Sequence, residues 1–318
     1  MNKNFKKVVG GISIFLMAMI AVGIWGNSEG NKVEKEKISK EVTQERDVYS
    51  AGVQDAMKSN DSLQEKSSVS TGRKKAKQSK KKYTEKENIF YKMLNSVDYY
   101  DTAEGSFSTV LGEEQLETEV EFISDLEEAT GYEGVENKTV DTELYVADGT
   151  RQIFNNEEET YVEDTEVIEQ EMEIPTDEDR IVEENDGSKT YNYREKISNL
   201  ANADMVLAPQ EITFSFLGDF SLWKIVGQEK YLGRKCVKIK GTTEEYYRQK
   251  LDVAKFTFWV DAETGFLLKY EGYNEKNELT DYIKTEEITI NQPVKEKKAS
   301  KKKYKNYKKA EHHIRTKK

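Results

Sequence analysis

Between Tyr231 and Val294, apolar and polar residues alternate with a period of two, the signature of strands with one packed face and one wet face. Val237 and Ile239 alternate with Cys236, Lys238 and Lys240. Phe256, Phe258 and Val260 alternate in the same way with Thr257 and Trp259. Asp261-Ala-Glu-Thr-Gly265 predicts a tight turn, because Gly265 can take the positive φ that closes a short hairpin loop. Phe266, Leu268 and Tyr270 carry the returning strand, and Asn274-Glu-Lys-Asn277 turns the chain again.

The same pattern fills Ser106 to Asn192. Leu116, Thr118, Val120 and Phe122 alternate with Glu117, Glu119 and Glu121, so one face is mostly apolar and the other acidic. Leu144 and Val146 lead into a turn at Asp148-Gly149, and Ile153 and Phe154 into another at Asn155-Asn156 before Tyr161-Val162. Glu163 to Asp186 is acidic enough to belong at an edge or in a loop. Helical spacing occurs in two places. Thr84-Glu-Lys-Glu87 forms a capping-box signature ahead of Ile89, Phe90, Met93, Leu94 and Val97, an element that Gly105 is expected to end. Tyr193 to Leu207 predicts a second helix on Ile197, Leu200, Ala201 and Met205. Ile212, Phe214 and Phe216 predict a strand, and Ser221 to Val226 carries Trp223 to the interior. The expected class is mainly β (α+β): a long, curved antiparallel sheet with a few short helices.

Charge and the chain ends extend this picture. The 318 residues carry a net charge of −11, but unevenly. The first 100 residues sum to about +7, residues 101–190 to about −26, residues 191–290 to about −2 and the last 28 to about +10. An acidic body between basic ends is a poor nucleic-acid binder. Lys3, Lys6 and Lys7 precede an apolar run, Val8 to Trp25, broken only by Ser13. As a helix it would be roughly 27 Å long, close to the hydrocarbon thickness of a bilayer. It predicts a single-pass anchor with the body outside the cytoplasm; a cleaved signal peptide is the alternative. The expected organisation is a cytoplasmic 1–7, a transmembrane 8–26, a disordered polar stalk 27–83, a folded domain 84–294 and a disordered Lys-rich tail 295–318. The basic segments 73–82 and 295–318 are candidates for contact with an anionic polymer or lipid, or with the acidic body itself. A lone cysteine, Cys236, allows no internal disulfide and suits a bacterial envelope.

Candidate chemistry is sparse. The two histidines, His312 and His313, lie in the basic tail, so no nucleophile–histidine pair forms inside the fold. There is no C-x-x-C, H-E-x-x-H or Gly-rich phosphate loop, and no cofactor or metal is expected. Asp177, Asp179, Glu183 and Asp186 lack the spacing of a calcium loop. What remains is architectural: aromatics at inward strand positions, with Trp223, Phe256, Phe258 and Phe266 as candidate ligand-binding residues of an apolar concave face. The same residues could equally form a dry core.

The runs L-G-D-F-S-L-W-K-I-V-G-Q-E-K-Y-L-G-R-K-C-V-K-I-K-G and F-W-V-D-A-E-T-G-F-L-L-K-Y-E-G-Y, the terminal I-T-I-N-Q-P and the helix with M-L-N-S-V-D-Y-Y-D resemble the lipoprotein-carrier superfamily of LolA, LolB and RseB. Within it they are most similar to Gram-positive, membrane-attached members such as the germination lipoprotein GerS. The resemblance covers Glu85 to Val294. It implies an incomplete β-barrel wrapped over helices, and a non-catalytic role. The chain departs from the family in lacking a lipobox cysteine near its apolar run, and the stalk and tail have no counterpart. Two functions follow as expectations: a tethered module holding a lipid or lipopeptide in the concave face, or a regulatory adaptor docking an envelope enzyme or sensor. An enzyme would need two converging carboxylates in a cleft.

Overall fold

The architecture was taken from a computed structural model that describes residues 83–112, 115–164, 181–183, 189–193, 198–301 and 303–310. The Val8–Trp25 run, the stalk before Tyr83, Asp177, Asp179 and both histidines lie outside the described residues. Among those described, no helix is long and apolar enough to cross a membrane.

Two meanders meet at one seam. The first runs β1 (Thr102–Val110), β2 (Thr118–Asp125), β3 (Thr130–Glu136), β4 (Asp141–Ala147), β5 (Thr150–Asn155) and β6 (Thr160–Asp164). A two-stranded sheet of β7 (Ile181–Glu183) and β8 (Lys189–Tyr191) follows. The second meander runs β9 (Trp223–Tyr231), β10 (Arg234–Thr242), β11 (Lys255–Asp261), β12 (Leu267–Tyr273) and β13 (Leu279–Ile290). Antiparallel pairing of β1 with β13 joins the meanders, and β14 (Lys308–Lys309) adds parallel to β6 at the far edge. The result is one large, curved, open sheet of 12 strands in the order β14-β6-β5-β4-β3-β2-β1-β13-β12-β11-β10-β9. Register shifts at Ser106/Phe107, Lys238/Ile239, Trp259/Val260 and Gly272/Tyr273 mark bulges that add local bend and twist.

Helices cover one face of this sheet. The first, α1 (Glu85–Leu94), starts as the capping box requires: Thr84 Oγ1 accepts the Glu87 amide at 3.2 Å, and Glu87 accepts the Thr84 amide at 2.8 Å. It buries Phe90, Met93 and Leu94, and a 3₁₀ turn at Ser96–Asp98 follows. Gly105 does not end this element. It sits inside β1, where a Cβ would lie 2.3 Å from the Glu287 carbonyl oxygen, so the close β1–β13 approach needs glycine there.

Two further expectations fail. Among the described residues, the helix expected over Tyr193–Leu207 is reduced to α2 (Asp204–Leu207). Ser198 donates to Asp204 Oδ1 at 2.5 Å, Asn199 takes φ 54, and the Glu133 carboxylate takes the Asn202 side chain and the Ala203 amide. These local bonds compete with the helical ladder and stop it. The strand expected at Ile212–Phe216 is a helix, α3 (Gln210–Leu217). A short apolar run fits either period. Here the helical fit buries Gln210, Thr213, Phe216 and Leu217 together, and the Thr213 hydroxyl and amide both bond the Pro209 carbonyl. A fourth helix, α4 (Glu245–Leu251), connects β10 to β11.

The turns follow the sequence. Gly265 has φ +83, and a Cβ there would come within 2.5 Å of the Lys92 carbonyl oxygen. The buried Asp261 carboxylate accepts the Glu263 and Thr264 amides at 3.0 and 2.8 Å and pairs with Arg234 at 2.5 Å. Burial opposes its charge, but these bonds hold its carboxyl below the usual range.

Candidate functional site

The four aromatic residues singled out above lie against protein. Phe216 of α3 meets Phe256, Phe258 and Tyr270 at ring-centroid distances of 5.1, 5.5 and 5.4 Å. Phe266 meets Tyr100 edge-on at 4.9 Å. Trp223 is 3% exposed; its indole nitrogen donates to the Leu217 carbonyl at 3.0 Å, and Lys86 sits 4.7 Å from its ring centroid. At these positions α1 and α3 occupy the helix-covered face.

Function therefore has to be sought on the other face, where the polar halves of the alternation lie. Its two ends differ in charge. On β9 to β12, outward positions build a groove of about 700 Å³ lined by Lys224, Lys238, Lys240, Lys255, Trp259, Glu271 and Tyr273 among others. Trp259, 8% exposed, forms its floor. Lys238 and Lys269 Nζ lie 4.7 and 4.4 Å from its ring centroid, so both ammonium groups sit over the indole as cation–π contacts. The indole N–H donates to Glu229 at 2.8 Å, and Lys238 pairs with the same carboxylate at 2.7 Å. The Lys238 and Trp259 hydrogen bonds lower the Glu229 carboxyl's pKa. Lys269 pairs with Glu271 at 2.7 Å, and the Tyr273 hydroxyl bonds the other oxygen of that carboxylate. Lys224, Lys240 and Lys255 make no ion pair among the described residues. The groove thus presents three ammonium groups without an ion pair among the described residues, of which Lys240 also acts through space on the Glu229 carboxylate, beside a fixed aromatic floor.

On β2 to β6 the outward positions are acidic and aromatic. A second groove of about 470 Å³ is lined by Glu117, Glu119, Glu121, Glu136, Asp141 and Glu143 among others. Next to it Ile123, Tyr132, Tyr145 and Phe154 form a buried cluster, completed from the C-terminal tail by Tyr304. The Lys-rich tail, expected to be disordered, therefore lies across this face over residues 295–301 and 303–310. Tyr304 stacks on Phe154 with centroids 3.7 Å apart and planes at 19°. Its hydroxyl reaches Tyr145 at 3.2 Å and donates to Glu143, which also pairs with Lys303. Lys297 pairs with Glu121 at 2.9 Å and lies 3.8 Å from the Tyr132 centroid. Lys298–Asp148 and Lys309–Glu163 pairs follow, and the Lys308 and Ala310 amides bond the Glu159 and Tyr161 carbonyls. The expectation failed because the lysine count hid two tyrosines, which supply the apolar area and directionality that a polycation lacks.

Buried polar groups under the sheet are structural by their contacts. Glu133, raised by burial against its bonds from Ala203 and Asn202, anchors the approach to α2. Asp281 is pushed up to about 7 by burial and then by Asp252, against bonds from Gly112 and Gln115; its Oδ1 and the Tyr270 hydroxyl lack hydrogen-bond partners among the described residues. The Cys236 thiol is pushed up to about 11 by burial and the Asp261 charge, which leaves it protonated and unreactive at neutral pH. Among the described residues no cluster of His, Cys, Asp or Glu is placed to hold a metal.

Sequence reasoning missed the lysine groove. The available signal was Trp259 at an outward strand position, in register with Lys238 on one neighbour and Lys269 on the other.

No family model matches the chain, and no curated protein does. Solved structures are similar at low identity. One is the MucA/MucB complex of Pseudomonas aeruginosa, at 16% identity and TM-score 0.37 over 66% of this chain and 59% of that one. Another is the Mycobacterium tuberculosis lipoprotein LppX, at 11% and 0.34 over 67% and 98%. A LolA superfamily protein from Nitrosomonas europaea is similar at 8% and 0.24 over 67% and 96%. The chain thus spans less than two thirds of the MucA/MucB chain it matches.

Proposed function

We propose that the chain is a non-catalytic binding module of the bacterial envelope, tethered through Val8–Trp25, that docks an acidic segment of an envelope protein in the lysine groove over Trp259. This is the adaptor reading, placed on the lysine-rich end of the sheet's outer face. The observation that carries it is the set of Lys224, Lys240 and Lys255, unpaired among the described residues and gathered around one groove with an aromatic floor. Three cations on adjacent strands repel one another, and a carboxylate-rich segment relieves that repulsion while the half-buried Tyr273 offers apolar contact. Each exposed pair contributes no more than about 1 kcal/mol, so the groove favours a multivalent acidic stretch over a single small anion. The likeness to germination lipoproteins and the extracytoplasmic location belong to this reading.

The lipid-holding alternative loses support from the helix-side packing of Phe256, Phe258 and Phe266. Both readings meet in one experiment. Envelope extract is passed over the immobilised full chain and over a Lys224→Glu/Lys240→Glu/Lys255→Glu variant, and each eluate is analysed for protein and lipid. The expected result is a partner retained by the parent chain, at least tenfold less by the variant, and lost as salt rises. Equal retention by both chains refutes the groove. A stoichiometric lipid in native mass spectrometry returns the function to the helix-covered face.

A further inference from the structure

Residues 295–310 of the tail lie as a strap across the outer face, and the strand register shows what this strap covers and what it leaves open. Outer-face side chains of β2 to β6 line up in rows that cross the strands. One row runs Glu121, Gly134, Glu143, Phe154 and Tyr161, each the register partner of the next. The strap covers this row: Lys297 pairs with Glu121, Lys303 with Glu143, and Tyr304 stacks on Phe154. The neighbouring row is Glu119, Glu136 and Asp141, again register partners on three adjacent strands, and it lines the groove beside the strap. None of these three carboxylates makes an ion pair among the described residues. Like charges directly opposite on adjacent strands destabilise a sheet. Three in a row without a counter-charge are a local conflict of the kind that function retains.

The strap is held mainly by its side chains. Between Lys295 and Tyr307 no backbone hydrogen bond joins it to the sheet among the described residues; the Tyr304 and Tyr307 amides bond the strap's own Ser300 and Tyr304 carbonyls. Backbone pairing begins at Lys308, with the Lys308 and Ala310 amides on the Glu159 and Tyr161 carbonyls. What the face reads is therefore a set of side chains: a tyrosine on Phe154 with its hydroxyl on Glu143, and lysines on Glu143 and Glu121. A segment that brings the same side chains can take the strap's place, and one with further lysines also answers the empty row. Glu119 is two residues along β2 from Glu121, about 7 Å away and within reach of a lysine next to the one on Glu121.

We propose that the acidic-aromatic face on β2 to β5 is a docking site for a lysine-rich, tyrosine-bearing segment of a partner protein, and that the C-terminal strap is its self-inhibiting occupant. Charge complementarity supports that partner. The strap shows that lysine and tyrosine fit here, and the row it leaves unpaired shows that it does not use the whole face. Its tether gives the strap a high effective concentration, which keeps out weak or purely cationic segments. A partner with cations for Glu119, Glu136 and Asp141 makes contacts that the strap does not, and those decide the exchange. This inference does not depend on the lysine groove.

The test uses the full chain and three labelled peptides: the strap sequence 297–310, the same sequence preceded by four lysines, and that extended peptide with Tyr304→Ser and Tyr307→Ser. The extended peptide is expected to bind the parent chain about tenfold more tightly than the strap sequence, as two or three added exposed pairs imply. In a Glu119→Gln/Glu136→Gln variant, changed only at exposed positions, that advantage should vanish while the strap sequence binds as before. The serine peptide should bind the parent chain about tenfold more weakly than the extended tyrosine peptide. Binding of the extended peptide should speed hydrogen exchange at the Lys308 and Ala310 amides, as the strap leaves. The proposal is overturned by equal binding of the extended and strap peptides, by an advantage that survives in the glutamine variant, by a serine peptide that binds as tightly, by binding with unchanged exchange at those amides, or by no binding at all. Self-association of the parent chain that the extended peptide competes away would assign the face to a second copy, and so would overturn it too.

Discussion

Phe216→Ala tests whether α3 closes the helix-covered face. Phe216 is 7% exposed and its ring is ringed by Phe256, Phe258 and Tyr270 at 5.1 to 5.5 Å. Losing the ring returns roughly 100 Å² or more of apolar contact, which at about 25 cal/mol per Å² is about 2.5 kcal/mol. The cavity term raises the loss to about 3–5 kcal/mol, because β11 and β12 are fixed by their ladders and cannot collapse into the gap. For a folded unit of this size that lowers the Tm by about 10 °C. Urea unfolding followed by tryptophan fluorescence measures it, with Trp223 and Trp259 reporting from the two faces of the sheet. The variant should also bind an apolar probe such as a fatty acid that the parent chain does not. A loss below about 1 kcal/mol refutes the reasoning, because it would mean that Phe216 is not seated and that the trough is open. Parent-chain binding of the probe at equal affinity refutes it from the other side.

Two further expectations concern the seam and the turn. The Asp281 carboxyl, pushed up to about 7 from 3.8, binds a proton more tightly folded than unfolded, so its contribution to stability declines as pH rises from about 4 to about 7 and is level above that. Asp281→Asn should remove that decline, so the difference between the parent and variant stability–pH curves should change steadily between about pH 4 and about pH 7, measured by urea unfolding at closely spaced pH; parallel curves would disprove the burial argument. Gly265→Ala should cost about 3 kcal/mol, from a left-handed φ of +83 and a Cβ placed 2.5 Å from the Lys92 carbonyl oxygen. A thermal melt within 2 °C of the parent would show that the turn can relax.

Legibility followed the length of each pattern. The outward glutamates of β2 and the Asp261–Gly265 turn were readable because a long period-two run or a positive-φ glycine leaves few alternatives. Ile212 to Phe216 was misread because five residues fit both periods, and only tertiary burial of Phe216 and Leu217 decides between them. The second helix failed for a long-range cause. Glu133, some 70 residues earlier, takes the Asn202 and Ala203 donors, and nothing near Leu200 signals that. Among the candidate residues, Trp223, Phe256, Phe258 and Phe266 were recognised as inward-facing, but what they faced depended on an α3 that had been read as a strand. The tail failed differently: composition averages over Lys295–Lys318, whereas Tyr304 and Tyr307 act one at a time.

The two ends of the outer face act separately. Lys297, Lys298, Lys303 and Lys309 of the strap pair with Glu121, Asp148, Glu143 and Glu163, so the strap neutralises acidic surface at its own end of the sheet. That neutralisation does not extend to the lysine groove, because β4 and β10 are about 34 Å apart along the sheet and the Debye length at physiological salt is about 8 Å. The strap therefore acts locally, through aromatic seating and contact pairs, while the groove acts as an independent cationic site. A single chain can then hold a basic segment at one end of its sheet and an acidic one at the other, and the two engagements should be thermodynamically additive at physiological salt and coupled only when salt is low.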